Sequence, residues 1–280
     1  MSKRIINFQY FERHLAHLNL QIIKKYALDN IIDWEYSQLW FKHNSFSKPT
    51  SQQYSKHISW RIKCSSNNLP TLDILNRNYP ELLKDNDICF LCSSAKETIE
   101  HFWNCPKVLE IITPIFAIYY EKFKTLITSE SNSLYALYSD SITRNPIFKW
   151  TKRPPQQIID IPDLHCLLMN FIPTSFTYPF KAAKISKETS KKLIMKFLFD
   201  LHKDIYEKIW KLRALSWKQF KKDHEITKNH SRDPTQRLRQ SEFNNINNVN
   251  GYRCPLNDSR RQVENHILSH HQIFYITYHH

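Results

Sequence analysis

Gly251 is the only glycine in 280 residues, and that scarcity limits this chain more than any motif it contains. A dinucleotide-binding loop needs glycines so that backbone can approach a pyrophosphate, and a Walker loop needs them to curl its N–H groups around phosphates. Neither can be built from this sequence. The nucleophile elbow of hydrolases, the kinase glycine-rich loop and the EF-hand turn fall to the same shortage. Turns must come from the 13 prolines and from Asn, Asp and Ser, which suits helices joined by proline-marked breaks.

With 41% hydrophobic and 14% aromatic residues the chain can bury a core. Its 40 Lys and Arg against 26 Asp and Glu leave a net charge of +14, which favours polyanionic partners. A bilayer span needs about 18 consecutive apolar residues. The longest candidate, Ile111 to Tyr120, stops well short at Glu121 and Lys122. The N-terminus meets Glu12 and Arg13 before any secretory apolar stretch develops. The expectation is an intracellular protein, in nucleus or cytoplasm, without membrane partners, whose cysteines serve as thiols or metal ligands.

Apolar periodicity predicts helices through most of the chain. Phe11, Leu15, Leu18, Ile22 and Tyr26 form one stripe ending near Asp29-Asn30, and Ile31 to Phe41 reads as a second helix. Ser51 to Lys63 follows, and after the break at Leu69-Pro70 Thr71 is placed to cap a short helix through Leu75. Val108 to Phe123 continues the pattern, with Pro114 expected to kink it. Prolines 146, 154, 155, 162, 173 and 179 then restrict the chain to short helices and irregular connection. A long helix is predicted from Lys187 to His224, with Ile194, Phe197, Leu201, Ile205, Ile209 and Leu212 inward. Beyond it, Asn, Ser, Arg and Gln dominate, and a disordered tail is expected.

The chemistry concentrates at Cys89-Phe-Leu-Cys92 and His101-Phe-Trp-Asn-Cys105. Two thiolates separated by two residues can meet one ion across a tight knuckle, while residues four apart share a helix face. Three sulfurs and one imidazole suit tetrahedral Zn²⁺. Ser94-Ala-Lys-Glu97 fits a capping box for the helix bearing the second pair, with Thr98 as the alternative cap. A four-ligand site leaves no position for water or substrate, so the zinc is read as structural and no small-molecule substrate is expected. The competing reading is a pair of buried cysteines beside a surface histidine.

These residues resemble the zinc-binding domain that follows the polymerase in non-LTR retrotransposon reverse transcriptases. The likeness runs from Ile58-Ser-Trp60-Arg-Ile through Asn68-Leu-Pro-Thr71, Leu75 and Arg77 to Glu97-Thr98-x-x-His101-Phe102-x-x-Cys105-Pro106. It spans roughly a fifth of the chain. Ser93 stands where the family commonly has glycine. The resemblance implies zinc binding and a supporting role in handling template RNA or DNA. A polymerase palm would need adjacent aspartates for two metal ions. No Asp-Asp pair occurs, and the residues ahead of Ile58 are too few for a palm, so no enzyme is expected.

On the predicted long helix Lys192, Lys196, Lys203, Lys211, Lys218 and Lys222 lie opposite the apolar stripe, with Phe199, Trp210 and Trp217 at its edge. Lys203, Trp210, Lys211, Trp217 and Lys218 are the candidate nucleic-acid contacts, since lysines can follow phosphates while an indole stacks on a base. The plainer reading is a solvated face with tryptophans packed on a neighbour. Cys254 with His266, His270 and His271 lacks a partner pair for a second metal site, and Cys64 reads as a core thiol. His165 and Cys166 are adjacent and read as packing residues, His14 and His17 as surface or partly buried polar groups, and Lys152-Arg-Pro-Pro155 is too short to argue nuclear import.

The reading is thus a mainly helical protein with a small structural zinc-binding segment. Its parts are N-terminal helices over 1–45, the zinc-binding domain over 46–128 and a proline-rich connection over 129–183. A basic amphipathic helix over 184–228 and a disordered tail over 229–280 complete it. The expected function is a non-catalytic zinc module that contacts RNA or DNA. The alternatives are a helical scaffold in which zinc only supports the fold, or an inactive retroelement relic.

Overall fold

A computed structural model describes residues 15–48, 51–83, 86–152 and 157–226. The predicted tail, the Cys254 and histidine group, Phe11, His14 and Arg153-Pro-Pro155 lie outside the described residues. The protein is mainly helical, with 72% helix and no strand among the described residues. The principal helices are α1 (Gln21–Leu28), α2 (Trp34–Lys42), α3 (Gln52–Ser65), α4 (Leu72–Asn78), α5 (Pro80–Leu83), α6 (Ile99–Asn104) and α7 (Pro106–Glu130). Four short helices follow: α8 (Ser139–Thr143), α9 (Pro146–Lys149), α10 (Pro162–Leu168) and α11 (Tyr178–Ala182). The last long element joins α12 (Lys187–Ile205) through a π-helical turn, Tyr206–Trp210, to α13 (Lys211–Asp223). None of these helices is long and apolar enough to cross a membrane.

The starts follow local chemistry. Asp33, Ser51 and Ser186 each accept a hydrogen bond from an amide in the first turn they precede, at Tyr36, Tyr54 and Thr189. The ends show the cost of lacking glycine. Helices commonly stop at a left-handed residue, and here that conformation falls on Asn30 after α1, Asn67 after α3, Asn170 after α10 and Lys184 after α11.

Two expectations for the N-terminal part are corrected. The stripe through Leu18 is not one helix: a 3-10 turn, Leu18–Leu20, precedes α1 and leaves Leu18 86% exposed. The tighter turn changes the angular step between residues, so that Leu20, Ile23 and Tyr26 face inward. Thr71 does not cap α4 with its side chain. Its hydroxyl donates to Asp73 Oδ1 at 2.6 Å instead, and the first amide of α4, at Leu72, donates to Glu97 Oε1 from 25 positions away.

The core centres on α7 and α12, which pack against each other. Phe123 of α7 meets Phe148, Phe176, Phe180 and Phe197, with ring centroids 4.9 to 5.6 Å apart. The proline-marked stretch forms short helices, and their residues Ile142, Ile147 and Leu164, with Ile172 in the connection after α10, are fully buried in the same cluster. The helix α7 runs on through Pro114. A smaller cluster joins Leu15, Leu20, Ile23 and Tyr26 to Cys166, Met169 and Phe171.

Arg61 shows how this core handles a cation. It is 1% exposed, lies 3.8 Å above the Trp40 ring and donates to the carbonyls of Trp40 and His43 at the end of α2. Those carbonyls carry the negative end of the helix dipole. The guanidinium therefore caps α2 from another helix.

His165 and Cys166 do not face each other. The Tyr26 hydroxyl pairs with His165 Nδ1 at 2.8 Å, and Cys166 packs in the smaller cluster. Burial lowers the His165 pKa from 6.5 to about 4. The folded state therefore resists a proton that the unfolded chain accepts. Its contribution is complete above the unfolded pKa and is lost as pH falls through the window from about 6.5 to about 4. Denaturant midpoints should show the wild type losing about 3 kcal/mol more than His165→Gln across that window. Equal losses would contradict this.

Candidate metal centre

Residues 87 to 97 form a small antiparallel turn held by an isolated bridge between Ile88 and Lys96. The Cys89 amide donates to the Ala95 carbonyl at 2.8 Å and the Glu97 amide to the Asp87 carbonyl at 2.7 Å. The knuckle closes where the Ser93 amide donates to the Cys89 carbonyl at 2.9 Å. Ser93 adopts φ 54°, the left-handed region in which a Cβ is unfavourable. Glycine takes this conformation without that penalty. Ser93→Gly should stabilise the protein by about 1 kcal/mol in denaturant unfolding, and a loss of stability would count against this knuckle geometry.

The second ligand pair is positioned differently from the expectation. Thr98, not Ser94, caps α6, its hydroxyl oxygen accepting from the His101 amide at 3.0 Å. Ser94 instead donates to Cys92 Sγ at 3.2 Å. His101 and Cys105 do not share one helix. The residue before a proline avoids the helical region, and Cys105, preceding Pro106, sits at φ −57° and ψ 128°. It ends α6 and begins α7, so its sulfur lies at the positive end of a 25-residue helix. The amides of Lys107 and Val108 act on that sulfur.

These elements bring the four ligand atoms of Cys89, Cys92, His101 and Cys105 within 4.8 Å of one another. Cys89 Sγ and Cys105 Sγ are 3.9 Å apart, and Cys92 Sγ and His101 Nε2 are 3.3 Å apart. Tetrahedral zinc, with bonds of about 2.3 Å to sulfur and about 2.0–2.1 Å to nitrogen, sets these separations near about 3.8 and 3.6 Å. The group can hold a metal ion, and its dimensions are compatible with zinc.

Charge at the three sulfurs is uneven. Burial pushes the Cys89 thiol up to about 12 and raises Cys105 as well, despite the amides that point at each. At Cys92 burial also pushes upward, but the Ser94 hydroxyl and amide and His101 outweigh it and bring the thiol down to about 6. Binding of an ion must therefore displace protons from Cys89 and Cys105.

The residue that ties this turn to the rest of the fold is Glu97, which is fully buried. Its Oε1 accepts from the Leu72 amide at 3.1 Å and from Arg213 Nε at 3.0 Å and Nη2 at 2.5 Å. Its other oxygen accepts from the Phe90 amide at 3.4 Å, inside the knuckle. Arg213, itself 1% exposed, lies over the rings of Phe90 and Trp210 at 5.6 and 5.5 Å. Leu212, inward by its periodicity, is instead 43% exposed. The π-helical turn just before it inserts an extra residue per turn and rotates Arg213 into Leu212's place.

No family model, curated protein or solved structure matches this chain.

The five candidate nucleic-acid residues do not gather at one place. Lys203, Lys211 and Lys218 are exposed, and Lys211 is paired with Glu207. Trp210 packs edge-on against Phe102 of α6 and lines a groove beside α3. Trp217 stacks with Phe220 and meets Phe90, lining a crevice with Leu75 and Tyr79. Lys218 lines a third, open depression with Leu215 and Lys222. Cys64 is a buried core thiol outside the metal cluster.

Proposed function

We propose that this protein is a non-catalytic zinc-binding module, similar to the zinc-binding domain of non-LTR retrotransposon reverse transcriptases, that contacts RNA or DNA. The observation that carries the reading is the closure of Cys89, Cys92, His101 and Cys105 around a common centre. Four protein ligands fill a tetrahedral shell and leave no position for a reacting molecule. Zinc held there supplies folding energy, not turnover.

Support for the resemblance comes from what its residues do. Trp60, Leu69 and Phe102 are buried in the same cluster as Cys89 and Cys105. Glu97 joins the knuckle to α4, and Thr98 caps the helix that carries His101. The nucleic-acid part rests on the net charge of +14 and on exposed lysines along α12 and α13. A scaffold role, with zinc only supporting the fold, is favoured by one observation: Trp210 and Trp217 are engaged with aromatic rings of the protein itself.

Titration with fluorescent single-stranded RNA and DNA at several salt concentrations separates the two. Phosphate contacts release counterions, so affinity on this proposal falls steeply with salt, with a logarithmic slope of about −0.7 per phosphate. Absence of binding at low salt would leave the scaffold.

A further inference from the structure

We infer that the groove between α3 and the π-helical turn is the seat of a single-stranded nucleic acid, holding one nucleotide unit against its aromatic wall. This rests on the proposed nucleic-acid role and assigns it to a place other than the outer lysine face. The groove has a volume of about 340 Å³, within the roughly 300–1,000 Å³ of small-ligand sites. Lys56, Ser59, Trp60, Lys63, Tyr206 and Trp210 line it.

Three features point to a phosphate-and-base ligand. First, the α3 wall is cationic and hydroxylated. Lys56, Ser59 and Lys63 recur at the three- and four-residue steps that place side chains on one helix face, and Ser55 stands one turn before Ser59. Lys56 and Lys63 have no carboxylate within ion-pair distance among the described residues, and no acidic side chain lines the groove. Lysines elsewhere on the last long element contrast with this: Lys208 is paired with Asp204, Lys211 with Glu207 and Lys191 with Glu35 and Glu188.

Second, the opposite wall is aromatic. Tyr206 and Trp210 are the first and last residues of the π-helical turn, a departure from α geometry that is rare and recurs at functional sites. Tyr206 is 6% exposed and packs on Trp60 and His57, so the face offered to a base is that of the half-buried Trp210; an aromatic face accepts any base by stacking, without reading sequence. Third, Trp60 is 2% exposed, yet its indole N–H has no hydrogen-bond partner. Buried donors are ordinarily satisfied, and the residue belongs to the groove's lining.

The test is fluorescence anisotropy with end-labelled single-stranded RNA and, separately, DNA of the same sequence, using the full chain. Lys56→Ala/Lys63→Ala should bind at least about tenfold more weakly at low salt, and should lower the salt slope by about 1.4. Ser59→Asp should weaken binding further by placing a like charge beside the phosphate. Lys25→Ala/Lys149→Ala, with the same change in net charge outside the groove, should bind as the wild type does.

Unchanged affinity in the Lys56 and Lys63 variant, with loss in Lys218→Ala/Lys222→Ala in the separate depression on α13, overturns the groove while leaving the nucleic-acid reading standing. An equal loss in the Lys25 and Lys149 control shows a diffuse charge effect and overturns it too. No binding by the wild type in low salt overturns both. The RNA and DNA arms identify which polymer the groove prefers. All substituted positions are exposed or partly exposed, and retained thermal unfolding confirms that each variant is folded.

Discussion

Stripping zinc from the purified protein with a chelator at neutral pH should unfold the region from about Ile58 to Val108. Binding in small structural sites is worth about 10–16 kcal/mol in apparent terms, against a total stability of about 5–15 kcal/mol for a typical domain. Local structure alone cannot replace it. Among the described residues the knuckle has an isolated bridge and a few turn hydrogen bonds, and α6 is six residues long, well below the length at which isolated helices persist. Cys89 and Cys105, both essentially inaccessible to solvent, lie in the main core with Phe102, Trp103 and Val108. Loss of the ion therefore opens the core at its edge. Far-ultraviolet circular dichroism should show lost helix and tryptophan emission should shift to the red. Cys89→Ser/Cys105→Ser should behave the same way without chelator. A chelated protein with an unchanged unfolding transition would contradict a structural role for the ion.

Arg213→Met should cost about 3–5 kcal/mol, the penalty for leaving a buried carboxylate without its counter-charge. Surface pairs are worth only about 0–1 kcal/mol, so the size of the loss is itself diagnostic. Arg213 supplies two donors to Glu97, and the same carboxylate holds the first amide of α4 and the Phe90 amide. Glu97→Gln should be comparably damaging, because it strands the guanidinium in turn. The pair is a connector as well as a source of stability, since it links the knuckle to α13. Replacing both, as Glu97→Gln/Arg213→Met, should recover a large part of the single losses, because no uncompensated charge remains. Denaturant unfolding of the four proteins gives the cycle. Simple additivity of the two single losses would show that the residues act independently.

The ligand set is legible in the sequence because metal coordination demands particular side chains at short spacing. The helices are legible because burial of one face imposes a period. Thr98 is visible as a cap for the same local reason. What escapes the sequence depends on contacts across the chain. Glu97 looks like a capping-box residue when its neighbours alone are considered, and its partner stands 116 positions away. Nothing in the sequence marks Arg213 as inward, because the π-helical turn that rotates it is a tertiary compromise. The four-residue spacing puts Cys105 on the helix of His101, although Pro106 carries the information that the chain must leave helical geometry there. Periodicity sets Trp210 and Trp217 at the edge of the apolar stripe. It does not show that one lines a groove while the other fills a separate crevice.

X-ray absorption at the zinc edge, on protein purified without added metal, tests most directly whether the cysteine and histidine cluster is a structural zinc site. The predicted result is stoichiometric zinc with a shell of three sulfurs at about 2.3 Å and one nitrogen at about 2.0 Å, lost in the Cys89→Ser/Cys105→Ser variant. A metal-free protein that is nonetheless folded, or a shell of oxygen and nitrogen alone, would contradict it.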